Sequence, residues 1–258
     1  VAVLLDEHTI AGRTYEFALM LDEFRASLLR ELDFGIEAKN LDALRASLDD
    51  FPDIVVPCPY PGLSTAHVLT MDFIAGEKVT ALHERPRTGF DGHRLAEQLF
   101  RAYLKQILID GMFHADPHPG NVLVTDDNKI ALIDLGMVAY LSPGWRDGLF
   151  RLLLSLAEGR SEDVVDLCLE LAEITERFDE GMFRISVSQI VARPRNASVS
   201  ESNMGQLVID ITRAATSAGM RVPSELTMLG KMMLSLDDVA RALSADFTPS
   251  RAIERHAT

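Results

Sequence analysis

The stretch Phe113-His114-Ala115-Asp116-Pro117-His118-Pro119-Gly120-Asn121-Val122-Leu123-Val124, with Ile133-Asp134-Leu135-Gly136 shortly after it, decides how this chain is read. Asn121 to Val124 and Ile130 to Ile133 are short apolar, partly β-branched runs on either side of Asp126-Asp127-Asn128-Lys129, a pattern that predicts a β-hairpin. Pairing Val124 with Ile130 sets Asn121 opposite Ile133 and Asp134 opposite Gly120. Opposed residues sit about 5 Å apart, so Asn121 and Asp134 become neighbours at the open end of the hairpin. Asp116 precedes them on a loop whose two prolines and glycine forbid helix and force a tight excursion beside that end. Three oxygen-bearing side chains are thereby expected to converge.

Carboxylate and amide oxygens are the ligands a hard cation such as Mg²⁺ prefers, and a carboxylate left over could orient or deprotonate an attacking hydroxyl. Asp and Asn also abound in ordinary turns, because their side chains bond nearby backbone. A turn alone does not account for a Pro/His-rich loop, a hairpin and a second Asp together. A transition-metal site is a rival reading, since His114, Asp116 and His118 alternate as metal ligands often do. Against it, Pro117 and Pro119 break the strand that would aim all three one way, and no further His or Cys cluster supplies a fourth ligand.

The phrase His-Ala-Asp-Pro-His-Pro-Gly-Asn-Val-Leu-Val resembles the catalytic loop of the UbiB/ADCK family of atypical protein-kinase-like proteins, and Ile-Asp-Leu-Gly-Met resembles its metal-binding motif. A more distant likeness is to aminoglycoside phosphotransferases. The resemblance implies that Asp116 is the catalytic base and that Asn121 and Asp134 are the metal ligands. Upstream, Glu31-Leu32-Asp33-Phe34-Gly35-Ile36-Glu37-Ala38-Lys39-Asn40 places Asp33 and Glu37 on one helical face and Phe34 and Ala38 on another, which by itself is an ordinary solvated acidic face. It is also similar to a second signature of the same family. There Glu37 matches the helix glutamate that pairs with a nucleotide-binding lysine, and Glu31 and Asp33 match an acidic pair peculiar to these atypical members. Met71 to Gly76 resembles the linker between kinase lobes, so Met71 and Phe73 are implied to present backbone to an adenine.

The expected architecture is α+β and protein-kinase-like: a partial small lobe of helix plus strands over residues 1–76, and a mainly helical large lobe with the catalytic-loop hairpin over residues 77–258. Periodicity supports one or two helices between about Tyr15 and Leu48. Ile54-Val55-Val56 and Ala66 to Ile74 read as strands, each the other's partner, separated by Pro57, Pro59, Pro61 and Gly62. A helix from about Gly92 to Asp110 carries the stripe Ala96, Leu99, Phe100, Tyr103, Leu104 and Ile107, and Gly111 ends it as a C-cap. Further amphipathic helices are predicted over Trp145 to Glu158, Ser161 to Ile174, Phe178 to Ala192, Ser202 to Gly219 and Pro223 to Leu243. Ser161 and Pro223 read as N-terminal signals, and Arg193 to Ser202 as a loop. Met204, Met220, Met228, Met232 and Met233 suit either core packing or a lipid-facing or partner-facing groove.

A chain of 258 residues, 47% hydrophobic, can bury one large core or two modest ones. Its net charge of −14, from 39 acidic and 25 basic residues, disfavours a nucleic-acid backbone as partner, but not a nucleotide held through a metal. Cys58 and Cys168 are the only cysteines, with no zinc or disulfide spacing, and are expected to be buried thiols in a reducing compartment. No apolar run reaches the roughly 18 residues of a spanning helix. Before Lys78 the only lysine is Lys39, and the first 34 residues contain a single glycine, Gly12. The lysine, the glycine-rich cover and the family's Lys-x-Gly-Gln signature are therefore missing, which suggests an N-terminally truncated member. The resemblance implies ATP and Mg²⁺ as cofactors, a lipid or isoprenoid-quinone precursor as partner, and a cytoplasmic protein with peripheral membrane contact. Its function is then that of an atypical kinase or Mg²⁺-dependent ATPase. The alternatives are a non-catalytic lipid-binding or scaffold module and an aminoglycoside-type phosphotransferase.

Overall fold

The computed structural model describes residue 21 and residues 32–84, 89–192 and 204–247. Glu31, most of the helical stretch predicted before it and the 193–202 loop lie outside them. Helix α1 (Phe34–Ser47) starts at Asp33, whose carboxylate accepts the Gly35 N–H at 2.9 Å. Asp33 is thus the N-cap and not a residue on a helical face with Glu37, because its short side chain satisfies one of the free N–H groups of the first turn. Leu41, Leu44 and Leu48 bury the inner face of the helix.

A four-stranded sheet follows, in the order β1-β5-β4-β2, from β1 (Ile54–Val55), β2 (Gly76–Lys78), β4 (Val122–Thr125) and β5 (Ile130–Leu132). β4 and β5 pair antiparallel with Val124 opposite Ile130, the register expected from the hydrophobic runs. The strand expected over Ala66 to Ile74 does not form. β1 pairs in parallel with β5 instead, and the early segment contributes two isolated bridges, Thr65 with Val68 and Pro59 with Met71, the latter flanked by Tyr60 N–H to Thr70 O at 2.8 Å and Asp72 N–H to Cys58 O at 3.0 Å. Pro57, Pro59 and Pro61 lack the N–H groups that a ladder needs, so the Pro59–Met71 bridge is not extended into a strand pair. A second, two-stranded sheet joins β3 (Met112–His114) to β6 (Val138–Tyr140).

Helix α2 (Gly92–Lys105) is capped by Asp91, which accepts the Arg94 N–H at 3.0 Å. Its last turn widens into a π-helical segment, Gln106–Asp110, which Gly111 terminates at φ 68°, a left-handed conformation open to glycine at little cost. The remaining helices are α3 (Pro143–Glu158), α4 (Ser161–Leu171), α5 (Glu180–Val191), α6 (Met204–Ser217) and α7 (Ser224–Leu243). The chain after α4 leaves helix for a two-residue strand, Glu173–Ile174, that pairs with Met220–Arg221. Arg160 and Pro223 occupy the N-cap positions of α4 and α7, so Ser161 and Ser224 fall inside their helices.

α7 runs against both α6 and α2. Gly92 permits the contact with α2, since a Cβ there would lie 1.8 Å from the Leu243 carbonyl oxygen. One continuous core extends from Leu41 through the hairpin to Phe247. Met204, Met220, Met232 and Met233 are buried in it and Met228 packs at its edge, so the methionines fill the core. Cys168 is buried, its thiol pushed up to about 12 by desolvation. Cys58 is only half-buried, with its sulfur accepting from Arg45 Nη1 at 3.3 Å. Among the described residues no helix is long and apolar enough to cross a membrane.

Candidate functional site

The loop from Ala115 to Met137 is closed at its base by the β3–β6 pair, where His114 faces Val138 and the Ala115 N–H donates to Met137 O at 2.9 Å. Within it, Pro119–Asn121 forms a 3₁₀ turn, with the Asn121 N–H donating to His118 O at 2.8 Å. The Asn121 carbonyl then accepts the Ile133 N–H at 3.1 Å, continuing the β4–β5 register one step past the ladder. As a result Asn121 Nδ2 donates to Asp134 Oδ2 at 3.1 Å. The other Asp134 oxygen accepts the Gly136 N–H at 3.1 Å. Asp134 and Asp116 are exposed and Asn121 is partly so.

Asp116 stands on a buried platform. His114 is 2% exposed, its backbone N–H donates to Gln106 Oε1 at 3.0 Å, and its Nδ1 lies 3.3 Å from Met137 O. A carbonyl only accepts, so Nδ1 carries the proton of the neutral ring. Burial lowers the His114 pKa, against the smaller upward pulls of Met137 O, Asp116 and Asp134. Tyr103 packs its ring against His114 with centroids 6.3 Å apart, and burial together with the Asp116 charge holds the phenol in its protonated form. The π-helical turn carries Gln106 inward, beneath this loop. His118 is exposed, and its Nδ1 accepts the Gly120 N–H at 3.1 Å, bracing the turn. His114 and His118 each use Nδ1 within the loop, and among the described residues no group of three His, Cys, Asp or Glu is disposed around a metal.

α1 meets this site at Leu135. Asn40 Nδ2 donates to the Leu135 carbonyl at 3.0 Å, and the Glu37 carboxylate lies near enough to the Leu135 N–H for that group to favour its charged form. Partial burial and then the Asp134 charge raise the Glu37 pKa, which the Leu135 N–H partly offsets. Among the described residues no cation pairs with Glu37. Asp33 remains a helix cap. Met71 is half-buried at its bridge to Pro59, whereas the Phe73 side chain is 93% exposed. The geometry therefore joins Asn121 and Asp134, sets Glu37 beside the same turn with Asp116 on the adjoining loop, and leaves Asp33, Met71 and Phe73 away from that turn.

Asn40 and Gln106 are contributors the reading of motifs did not single out. Each is a polar residue on an apolar helical face, beside Leu41 and Leu44 in one case and Tyr103 and Ile107 in the other, and that misfit is the signal that could have found them. A groove of about 890 Å³ between α2 and α3, lined by Phe51, Arg101, Leu104, Arg146 and Phe150 among others, includes none of the site residues.

The ABC1 atypical kinase-like domain profile matches residues 2–168, and the UbiB helical domain profile matches residues 187–248. An uncharacterised protein of Synechocystis sp. is 30% identical over 236 residues, covering 88% of this chain and 58% of its own length. The chloroplastic protein ACTIVITY OF BC1 COMPLEX KINASE 7 of Arabidopsis thaliana is 28% identical over 91% of this chain and 34% of its own. This chain thus spans between about a third and three fifths of these relatives. Among solved structures, the Rv3197–erythromycin complex from Mycobacterium tuberculosis superposes with a TM-score of 0.59 at 19% identity, over 92% of this chain and 60% of the other. These likenesses agree with the kinase-like α+β fold expected from the catalytic-loop phrase.

Proposed function

This chain belongs to the ABC1 atypical kinase-like family of the UbiB/ADCK group, and from that premise we propose that it carries the phosphoryl-transfer machinery of an atypical kinase or Mg²⁺-dependent ATPase. The observation that supports this reading most is the Asn121–Asp134 pair, 3.1 Å apart at the mouth of the hairpin, with Asp116 on the adjoining loop. An amide and a carboxylate oxygen, both reachable from solvent, form the hard donor set that suits Mg²⁺, which keeps several waters and takes phosphate oxygens for the rest. Bound there, Mg²⁺·ATP would supply a polarised terminal phosphoryl group. Asn121 and Asp134 would hold the cation, and Asp116 would orient the attacking hydroxyl or water and accept its proton.

In this reading residues 1–76 contribute part of a small lobe, with Glu31, Glu37 and Asp33 near the phosphates and the Met71–Phe73 backbone near the base, and residues 77–258 form the large lobe. We place the acceptor or effector in the lipid or isoprenoid-quinone precursor class, on the family resemblance, with peripheral membrane contact. The groove between α2 and α3 supports that class through lining residues such as Phe51, Leu104 and Phe150, beside both basic (Arg101, Arg146) and acidic (Asp147) side chains. A second reading is a non-catalytic lipid-binding or scaffold module, for which the groove between α2 and α3 would be the binding surface.

Paired substitutions separate the two. Asp134→Ala is expected to abolish Mg²⁺-dependent nucleotide binding while the circular dichroism spectrum and thermal midpoint stay close to wild type. Asp116→Asn keeps the size of the side chain and one acceptor oxygen but loses the charge and most of the basicity. ATP hydrolysis is expected to fall about 10²- to 10⁴-fold with nucleotide affinity little changed. Hydrolysis indifferent to Asp116→Asn would leave the binding module as the better account.

A further inference from the structure

Two side chains one turn apart on α1 approach the peptide units that flank Leu135, and one of them holds its peptide by a hydrogen bond. Asn40 Nδ2 donates at 3.0 Å to the carbonyl on the Gly136 side, and the N–H on the Asp134 side lies near enough to the Glu37 carboxylate to favour its charged form. The Leu135 side chain is itself fully buried. Asn40 is 6% exposed and lies beside Leu41 and Leu44, where an apolar residue would fill the space without needing a partner. An amide buried on such a face costs free energy unless it is bonded, so its particular contribution is the bond to Leu135. That bond joins positions 95 residues apart in the chain.

The bond to the carbonyl restrains the Leu135–Gly136 peptide, and with it the course of the turn beginning at Asp134. Asp134 then directs one oxygen to the Gly136 N–H and the other to Asn121. We propose that Asn40 is a positioning residue: by holding the Leu135 carbonyl it locks the Asp134-Leu135-Gly136 turn, and so keeps the Asp134 carboxylate facing Asn121 in the arrangement that receives a cation. Only the last step rests on the reading of Asp134 as a metal ligand. The same bond makes α1 part of the site, since a shift of the helix would carry the Leu135 carbonyl with it.

The test uses the whole chain and two readouts. Asn40→Leu preserves approximate volume and removes the donor. Asn40→Asp keeps the shape, loses the same donor, and serves if the first variant does not fold. Without any ligand, amide hydrogen exchange at residues 133–138 is expected to rise about five- to tenfold, the factor set by one lost buried hydrogen bond, while exchange in α6 and α7 is unchanged. Mn²⁺ affinity, followed by electron paramagnetic resonance, is expected to drop about 10- to 100-fold, as for other residues that orient a ligand. In an Asp134→Ala background Asn40→Leu should have no further effect on Mn²⁺. Unchanged exchange at 133–138, or a rise spread evenly over the chain with a lowered thermal midpoint, overturns the proposal. If the wild-type chain binds no Mn²⁺, the metal reading of Asp134 fails; a local rise in exchange then still supports the lock, and no rise overturns it.

Discussion

His114 shows how one buried residue couples the site to pH. Its folded pKa lies below the ordinary 6.5, with desolvation as the leading cause, whereas in the unfolded chain the ring takes up its proton near that ordinary value. The unfolded state therefore binds more protons as pH falls through about 6.5, and the folded state loses stability over that window and below it. Above it this contribution is fully present. The thermal midpoint should fall between pH 7.5 and 5.5, and His114→Gln should flatten that part of the profile. A variant that retained the full slope would move the titration to another group. Asp116, two residues on, keeps its place through the same platform, because Ala115 and His114 both bond to Met137 O.

At the scale of elements, α6 and α7 approach each other through two glycines. A Cβ on Gly230 would stand 2.8 Å from Ile209 Cγ1 and 3.2 Å from Val208 Cγ1, and one on Gly205 would meet the Leu234 N at 2.6 Å and the Gly230 O at 2.8 Å. Interaxial distance follows from the side chains at a helix crossing, and here hydrogens occupy it. Gly230→Leu forces the helices apart and should destabilise the chain by about 1–3 kcal/mol, the usual range for overpacking, as read from a urea midpoint with unchanged slope. Because α7 also packs on α2 and on the Pro119–Asn121 turn, the same substitution should loosen the site. Gly205→Ala offers a milder version against backbone atoms that cannot rotate away.

Over the whole molecule, the balance of charges around the nucleotide reading is unusual. The net charge is −14, Glu37 meets no cation among the described residues, and no lysine precedes Lys39 in the sequence. A triphosphate would be held mainly through the cation at Asn121 and Asp134. Mg²⁺·ATP affinity of this chain is expected to be weak, in the range of about 1 mM, corresponding to about −4 kcal/mol. Micromolar binding in a calorimetric titration would show that other groups carry the phosphates.

The hairpin, its register and the meeting of Asn121 with Asp134 were legible in the sequence because they are local: a two-residue side-chain period and a short turn determine which residues oppose one another. The Gly92 to Asp110 helix and its Gly111 cap were legible for the same reason, through 3.6-residue periodicity and the left-handed terminus. What only the tertiary structure decided are relations between distant segments. The parallel pairing of Ile54–Val55 with β5, in place of the expected partner before Ile74, depended on which backbone still had N–H groups to offer beside three prolines. The β3–β6 pair escaped notice because its short strands are separated by the whole Ala115 to Met137 loop, with no tight turn to join them. Asn40 reading as one more residue of an acidic motif, and proving to be the donor to Leu135, follows from a bond that spans 95 positions and leaves no trace in local spacing.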